Sequence, residues 1–147
     1  DEGSGSAFGK LLLKKYFMKK LPHDLEQEFQ ATYNLTIEET LKNMYHNPRA
    51  NAYLGEFNQF IAERKKHAYF QNLIFEEMKN FFEYQVLPYP EAGQVEINFI
   101  GSIAYYYEEI IRAAAAELNL SVGVVVKKPI DSLVEYHINY LLNDILN

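Results

Sequence analysis

Two periods of apolar residues divide the chain. Helical spacing dominates its first two-thirds. Phe8, Leu12 and Tyr16 predict a helix over residues 4–20. After Pro22, Asp24 is placed to cap a helix over about Leu25 to Tyr33. Thr36-Ile37-Glu38-Glu39 is a capping-box pattern for a short helix to about Tyr45, ended by Asn47-Pro48. Leu54, Phe57, Phe60 and Ile61 predict the inner face of a helix over 50–66. Phe70, Leu73, Ile74, Met78, Phe81 and Phe82 predict that of the longest helix, 67–87. Pro88, Pro90 and Gly93 then form a turn.

The period changes to two at Val95. Val95, Ile97 and Phe99 alternate with Glu96, Asn98 and Ile100, which predicts a strand over about 95–100. Gly101-Ser102 breaks it, and a long helix follows at once with Ile103, Tyr107, Ile110, Ile111, Ala114 and Leu118 inward. Val122 to Lys127 is a second strand, rich in β-branched residues. Strand, helix and strand over about thirty residues make a βαβ unit, hence two parallel strands with a right-handed crossover. Pro129 ends the second strand. Asp131 caps a last helix with Val134, Ile138, Leu141, Leu142 and Ile145 inward. The class is a helix-rich α/β domain. Two clear strands are few for a parallel sheet, so a part of the parent protein outside this chain is expected to complete it.

With 147 residues the chain suits one domain, and 48% hydrophobic content with 22 Tyr and Phe argues for a packed core. The net charge of −6 speaks against nucleic acid and anionic membrane surfaces as partners. The absence of cysteine removes disulfides, thiolate zinc sites, cysteine-held clusters and a cysteine nucleophile from this chain. No apolar run approaches a bilayer's thickness, and no signal peptide is visible, so a cytoplasmic setting is expected. In that setting the N-x-S/T triplets at Asn34 and Asn119 are chance matches.

Few residues are arranged for chemistry. His23, His46, His67 and His137 lack the spacing of paired metal ligands. The adjacent pairs Glu76-Glu77 and Glu108-Glu109 lie on helices, where neighbours one apart do not face each other. No GxSxG, Walker A or GxGxxG pattern occurs. A ligand role is open to the glycine loop Asp1 to Ser6, to Gly55 and to Gly101-Ser102. Gly55 costs about 1 kcal/mol inside a helix, and such a glycine often marks close packing or close ligand approach. At Gly101-Ser102 a helix start offers free N–H groups, and glycine lets a flat ligand approach the backbone. On local pattern alone an ordinary strand-to-helix connection is the favoured reading, because a single Gly-Ser turn is weak evidence.

Three segments together resemble one family. DEGSGSAFGKLLL, from Asp1, is similar to the DEGSG segment of the BadF/BadG/BcrA/BcrD-type ATPases and N-acetylglucosamine kinases, within the actin-like, hexokinase-like superfamily. INFIGSIAYYYEEIIRAAAAE resembles that family's adenosine segment. KPIDSLVEYH resembles the closing segment of its bacterial members. The joint occurrence of DEGSG and GSIA is more specific than either alone, and the resemblance spans nearly all of the chain.

The resemblance implies most of the C-terminal lobe of an actin-like (ribonuclease H-like) ATP-dependent sugar kinase, with a helical insertion at about 24–87. Its substrate would be N-acetylglucosamine or a related amino sugar. Asp1 would contact the sugar. Gly101 and Ser102 would hold the adenosine end of ATP, and Gly55 would lie near the nucleotide. Tyr106 falls where those kinases carry a small polar nucleotide contact. The phosphate loops, the general base and the Mg2+ ligands would belong to a missing N-terminal lobe, and a homodimer is a possible assembly. An activator-type ATPase is the rival within the family, although such activators carry a cluster on cysteines. A non-catalytic helical binding module is the rival outside it.

Overall fold

The computed structural model describes residues 2–128. Asp1 and the helix read from Asp131 onward therefore lie outside the described residues. Five helices come first: α1 Gly5–Phe17, α2 His23–Tyr33, α3 Ile37–His46, α4 Ala50–Glu63 and α5 Ala68–Phe81. A π-helical turn, Phe82–Val86, extends α5. Then come β1 Glu96–Ile100, α6 Ser102–Tyr106, α7 Glu108–Glu117 and β2 Ser121–Val126.

The helices begin where local chemistry favours a start. Ser4 caps α1, its Oγ accepting from the Ala7 amide at 3.1 Å. At α3 the capping box is complete. Thr36 Oγ1 accepts from the Glu39 amide at 3.2 Å and donates to Glu39 Oε2 at 2.9 Å. Asp24, however, is no cap. Pro22 precedes α2, whose fixed φ suits a helix entry, and Asp24 sits in the first turn. Its carboxylate instead faces His67 Nε2 at 3.1 Å. His67 caps α5 through Nδ1, which accepts from the Tyr69 amide at 3.1 Å. Bonding to the Leu25 amide, and then His67, holds the Asp24 carboxyl below its ordinary range.

The predicted inward faces form the core. Phe8, Leu12 and Tyr16 of α1 are buried with Leu54, Phe57, Phe60 and Ile61 of α4 and Phe70, Ile74 and Met78 of α5. Phe29 of α2 is fully buried at the centre of an aromatic cluster, 4.7 Å from Tyr16 and 5.2 Å from Phe60, centroid to centroid. α1 and α4 approach closely at Gly9. A Cβ there would lie 1.7 Å from the Leu54 carbonyl oxygen, so only glycine lets α1 and α4 meet.

The two strands pair in parallel, as the βαβ pattern predicts, with Ile97 opposite Val122 and Phe99 opposite Val125. Two residues of β2 stand against the single Asn98 of β1, so β2 carries a bulge at Gly123-Val124. Asn98 Oδ1 takes up the displaced Val124 amide at 2.7 Å. A Cβ on Gly123 would meet that oxygen at 2.4 Å, which explains the glycine within a β-branched strand. Arg112 of α7 donates to the Val122 and Gly123 carbonyls at 2.6 and 2.8 Å. Glu108 holds the same guanidinium at 2.8 Å. The irregular strand is thus tied to the helix that crosses over it.

Two expected helices differ in detail. The helix read over 67–87 is α-helical only to Phe81, and the wider π turn follows, with the Leu87 amide bonded to the Phe82 carbonyl at 2.8 Å. The change lets the consecutive rings Phe81 and Phe82 both reach Phe99 of β1, at 5.9 and 6.0 Å. The helix after Gly101 is broken at Tyr107, whose φ of −110° and ψ of 16° leave the helical well. There the ring is buried edge-on against Phe8, 5.4 Å away.

Candidate functional site

The glycine loop at the start of α1 and the turn after β1 meet. Gly3, Ser4 and Gly5 line a cleft of about 400 Å³ together with Ile100, Gly101, Ser102 and Ile103. About a hundred residues separate the two segments in the chain. The cleft floor is apolar, made by Met78, Phe81, Phe99, Ala104 and Ile111. Its volume lies within the range of ligand pockets, and an apolar floor with a few polar groups on the rim is the usual composition of one.

Backbone conformation requires the glycines on this rim. Gly3 has φ of +75°, and a Cβ there would press on the Phe81 ring at 3.1 Å. Gly101 has φ of +134°, a region that side chains rarely enter. Its amide donates to the Val126 carbonyl at 2.8 Å, which fixes the turn to the end of β2. Among the described residues beyond its two chain neighbours, none comes within 4 Å of where its Cβ would be, so the glycine is needed for the turn and leaves open space beside it. Ser102 is exposed at the first position of α6.

A second cleft of about 450 Å³ borders the same loop on its other side, lined by Glu2, Ser6, Lys10, Lys14, Asn51 and Glu77, among others. Glu2 accepts from Gln85 Nε2 at 2.8 Å, and bonding to its own backbone amide holds its carboxyl below the ordinary range. Burial pushes the Glu77 carboxyl up, against a smaller opposing bond from Asn80. Among the described residues no three His, Cys, Asp or Glu side chains gather as a metal-holding group.

Of the candidates read from the sequence, the structure brings the glycine loop, Gly101 and Ser102 to one place. Gly55 lines neither cleft. It is half-buried on α4 with open space where a Cβ would sit, so close packing does not explain it. The closely packed glycine is Gly9, and the signal for it was the four-residue spacing of Gly5 and Gly9, which puts two small residues on one helix face. Tyr106 does not line the first cleft. Its exposed ring lies 4.6 Å from Lys127 Nζ, and this ammonium lowers the phenol's pKa. The floor residues Met78 and Phe99 were read only as core, because in the sequence nothing separates a ring under a cleft from a ring inside a core.

No family model and no curated protein matches the chain. Among solved structures it is similar to a putative N-acetylglucosamine kinase of Porphyromonas gingivalis, with a TM-score of 0.86 and 29% sequence identity. The likeness covers 95% of this chain and 49% of that one. The chain therefore spans about half the length of this solved relative. No helix among the described residues is long and apolar enough to cross a membrane. The helix-rich α/β fold with its small parallel sheet is similar to that of the matching half of the Porphyromonas protein, a likeness that supports the resemblance carried by the segments at Asp1 and Gly101.

Proposed function

We propose that this chain is the C-terminal part of an ATP-dependent sugar kinase of the actin-like superfamily, acting on N-acetylglucosamine or a related amino sugar. One observation carries the reading. Two motif segments far apart in sequence, at Gly3–Gly5 and Gly101-Ser102, line one cleft in a fold similar to that of the Porphyromonas protein.

The cleft is chemically suited to a nucleoside. A flat base can lie on the apolar floor of Phe81 and Phe99, and the open space beside Gly101 admits it close to the backbone. Ser102 offers a hydroxyl on the rim. In this reading Gly101 and Ser102 hold the adenosine end of ATP, Gly55 lies near the nucleotide and Asp1 contacts the sugar, each as the family resemblance implies. The phosphate loops, the general base and the Mg2+ ligands are expected in the other lobe of such a kinase. Phosphoryl transfer then depends on lobes that close, exclude water and align the reacting groups. What this chain's residues do is bind and orient. Its side chains are assigned no proton transfer.

An ADP-release assay on the full-length protein, over a panel of amino and neutral sugars, tests this reading. Turnover stimulated by N-acetylglucosamine or a close relative is expected. ATP binding without sugar-stimulated turnover would favour an activator-type ATPase, and no nucleotide binding would favour a non-catalytic module.

A further inference from the structure

The second cleft, on the other side of the glycine loop, takes no part in the proposed nucleotide site. It holds about 450 Å³ and shares no lining residue with the first. Ser6, Lys10 and Lys14 recur at four-residue spacing, which puts them on one face of α1. Glu2 stands in the loop just before that helix. Asn51 of α4 and Glu77 of α5 supply facing walls.

Charge is segregated along this cleft. Glu2 and Glu77 belong to one end. The Glu2 charge adds to burial in pushing the Glu77 carboxyl up, which requires the two groups to be near each other. Lys10 and Lys14 belong to the other end, about 6 and 12 Å along the helix axis from Ser6 at about 1.5 Å per residue. Among the described residues neither lysine has an ion-pair partner. Two neighbouring ammonium groups without a carboxylate attract an anion, and phosphate is a group that lysine binds well. The acidic end asks for the opposite chemistry. Carboxyl oxygens accept from hydroxyl groups, as a sugar supplies.

The combination selects one class of ligand. Inorganic phosphate would meet the basic end and leave the acidic end unused. A nucleotide would find no aromatic ring to stack on, because the only apolar lining residues are Ala7, Leu11 and Leu54. A sugar phosphate carries hydroxyls and an anion on one small body, and the cleft volume is within the range of ligand pockets.

We propose that the second cleft binds a phosphorylated sugar, its phosphate on Lys10 and Lys14 and its hydroxyls at the Glu2 and Glu77 end. Which sugar it takes rests on the kinase reading, in which such an ester is the product. Occupancy then bears on the loop whose Gly3–Gly5 line the first cleft, and product restrains turnover from outside the reacting site.

Calorimetry on the full-length protein tests this with the 6-phosphate and the 1-phosphate of N-acetylglucosamine, and with inorganic phosphate. One of the esters should bind with a Kd below about 1 mM, and inorganic phosphate at least about tenfold more weakly. Lys10→Gln combined with Lys14→Gln should weaken the ester at least about tenfold, and the two arginine replacements together should keep it. The melting temperature should stay near wild type, because both lysines are exposed. In the ADP-release assay the ester should lower the limiting rate at saturating ATP and sugar. Turnover without ester binding would overturn this site alone, whereas ester binding without turnover would support the site and overturn the kinase reading. Inorganic phosphate binding as tightly as the esters would overturn the proposal. So would ester binding that the double glutamine variant leaves unchanged, or inhibition that excess sugar relieves completely.

Discussion

Tyr107 donates its hydroxyl hydrogen bond to Asn58 Oδ1 at 2.8 Å, joining residues 49 positions apart. The bond pins the break between α6 and α7 to α4, and the ring fills the space beside Phe8. The cleft-bearing turn at Gly101 is thereby held to the helical core. Tyr107→Phe should lower unfolding stability by about 1–2 kcal/mol, since it leaves the Asn58 acceptor without its donor. Urea denaturation checks this. Burial pushes the Tyr107 phenol well above the usual tyrosine range. Because the folded pKa is raised, stability is full below the unfolded value of about 10 and falls as pH rises above it. Tyr107→Phe should flatten that alkaline loss.

Gly9→Ala should be severe. The added methyl would overlap the Leu54 carbonyl, a backbone atom that cannot swing aside. Separating α1 from α4 would open the Phe8–Phe57 region of the core, at a cost of about 3 kcal/mol or more. Differential scanning calorimetry should show a greatly lowered transition or none. A melting temperature within a few degrees of wild type would mean the helices are not in the register described.

Glu77 gives a second pH dependence. Its carboxyl is raised by burial, so its contribution is fully present below the unfolded value near 4.3 and is lost as pH rises through the folded value. Glu77→Gln should therefore stabilise the protein at neutral pH, and the gain should shrink on acidification. Melting temperatures of both proteins at several pH values between mildly acidic and neutral would show the convergence.

Ser102→Trp addresses the proposed nucleotide site. Ser102 is exposed on the cleft rim, so an indole there costs the fold little and fills the space proposed for the nucleoside. In the full-length protein the KM for ATP should rise about tenfold or more, with the KM for the sugar near wild type. Unchanged ATP affinity by calorimetry would remove the adenosine assignment.

Much of this was legible in the sequence because it is local. Periodicity located every described helix and both strands, since the apolar face of each follows from spacing alone. The capping box at Thr36 was legible because its partner lies three residues away. The glycine loop and Gly101-Ser102 were legible as ligand candidates from their backbone freedom, and the family resemblance from the two segments together. What is read at one position depends on near neighbours, and those the sequence supplies.

The tertiary structure decided the rest, for one physical reason: distant residues compete for the same space. Whether Gly55 or Gly9 is the close-packed glycine depends on how α1 and α4 cross. The break at Tyr107 exists because burying the ring against Phe8 and Asn58 outweighs a continuous helix. The π turn after Phe81 exists because two consecutive rings pack on Phe99. The bulge at Gly123 needs Asn98 across the sheet to accept the displaced amide. The sequence by itself determined the elements, the core faces and the two glycine segments. Only packing brought those segments to one cleft.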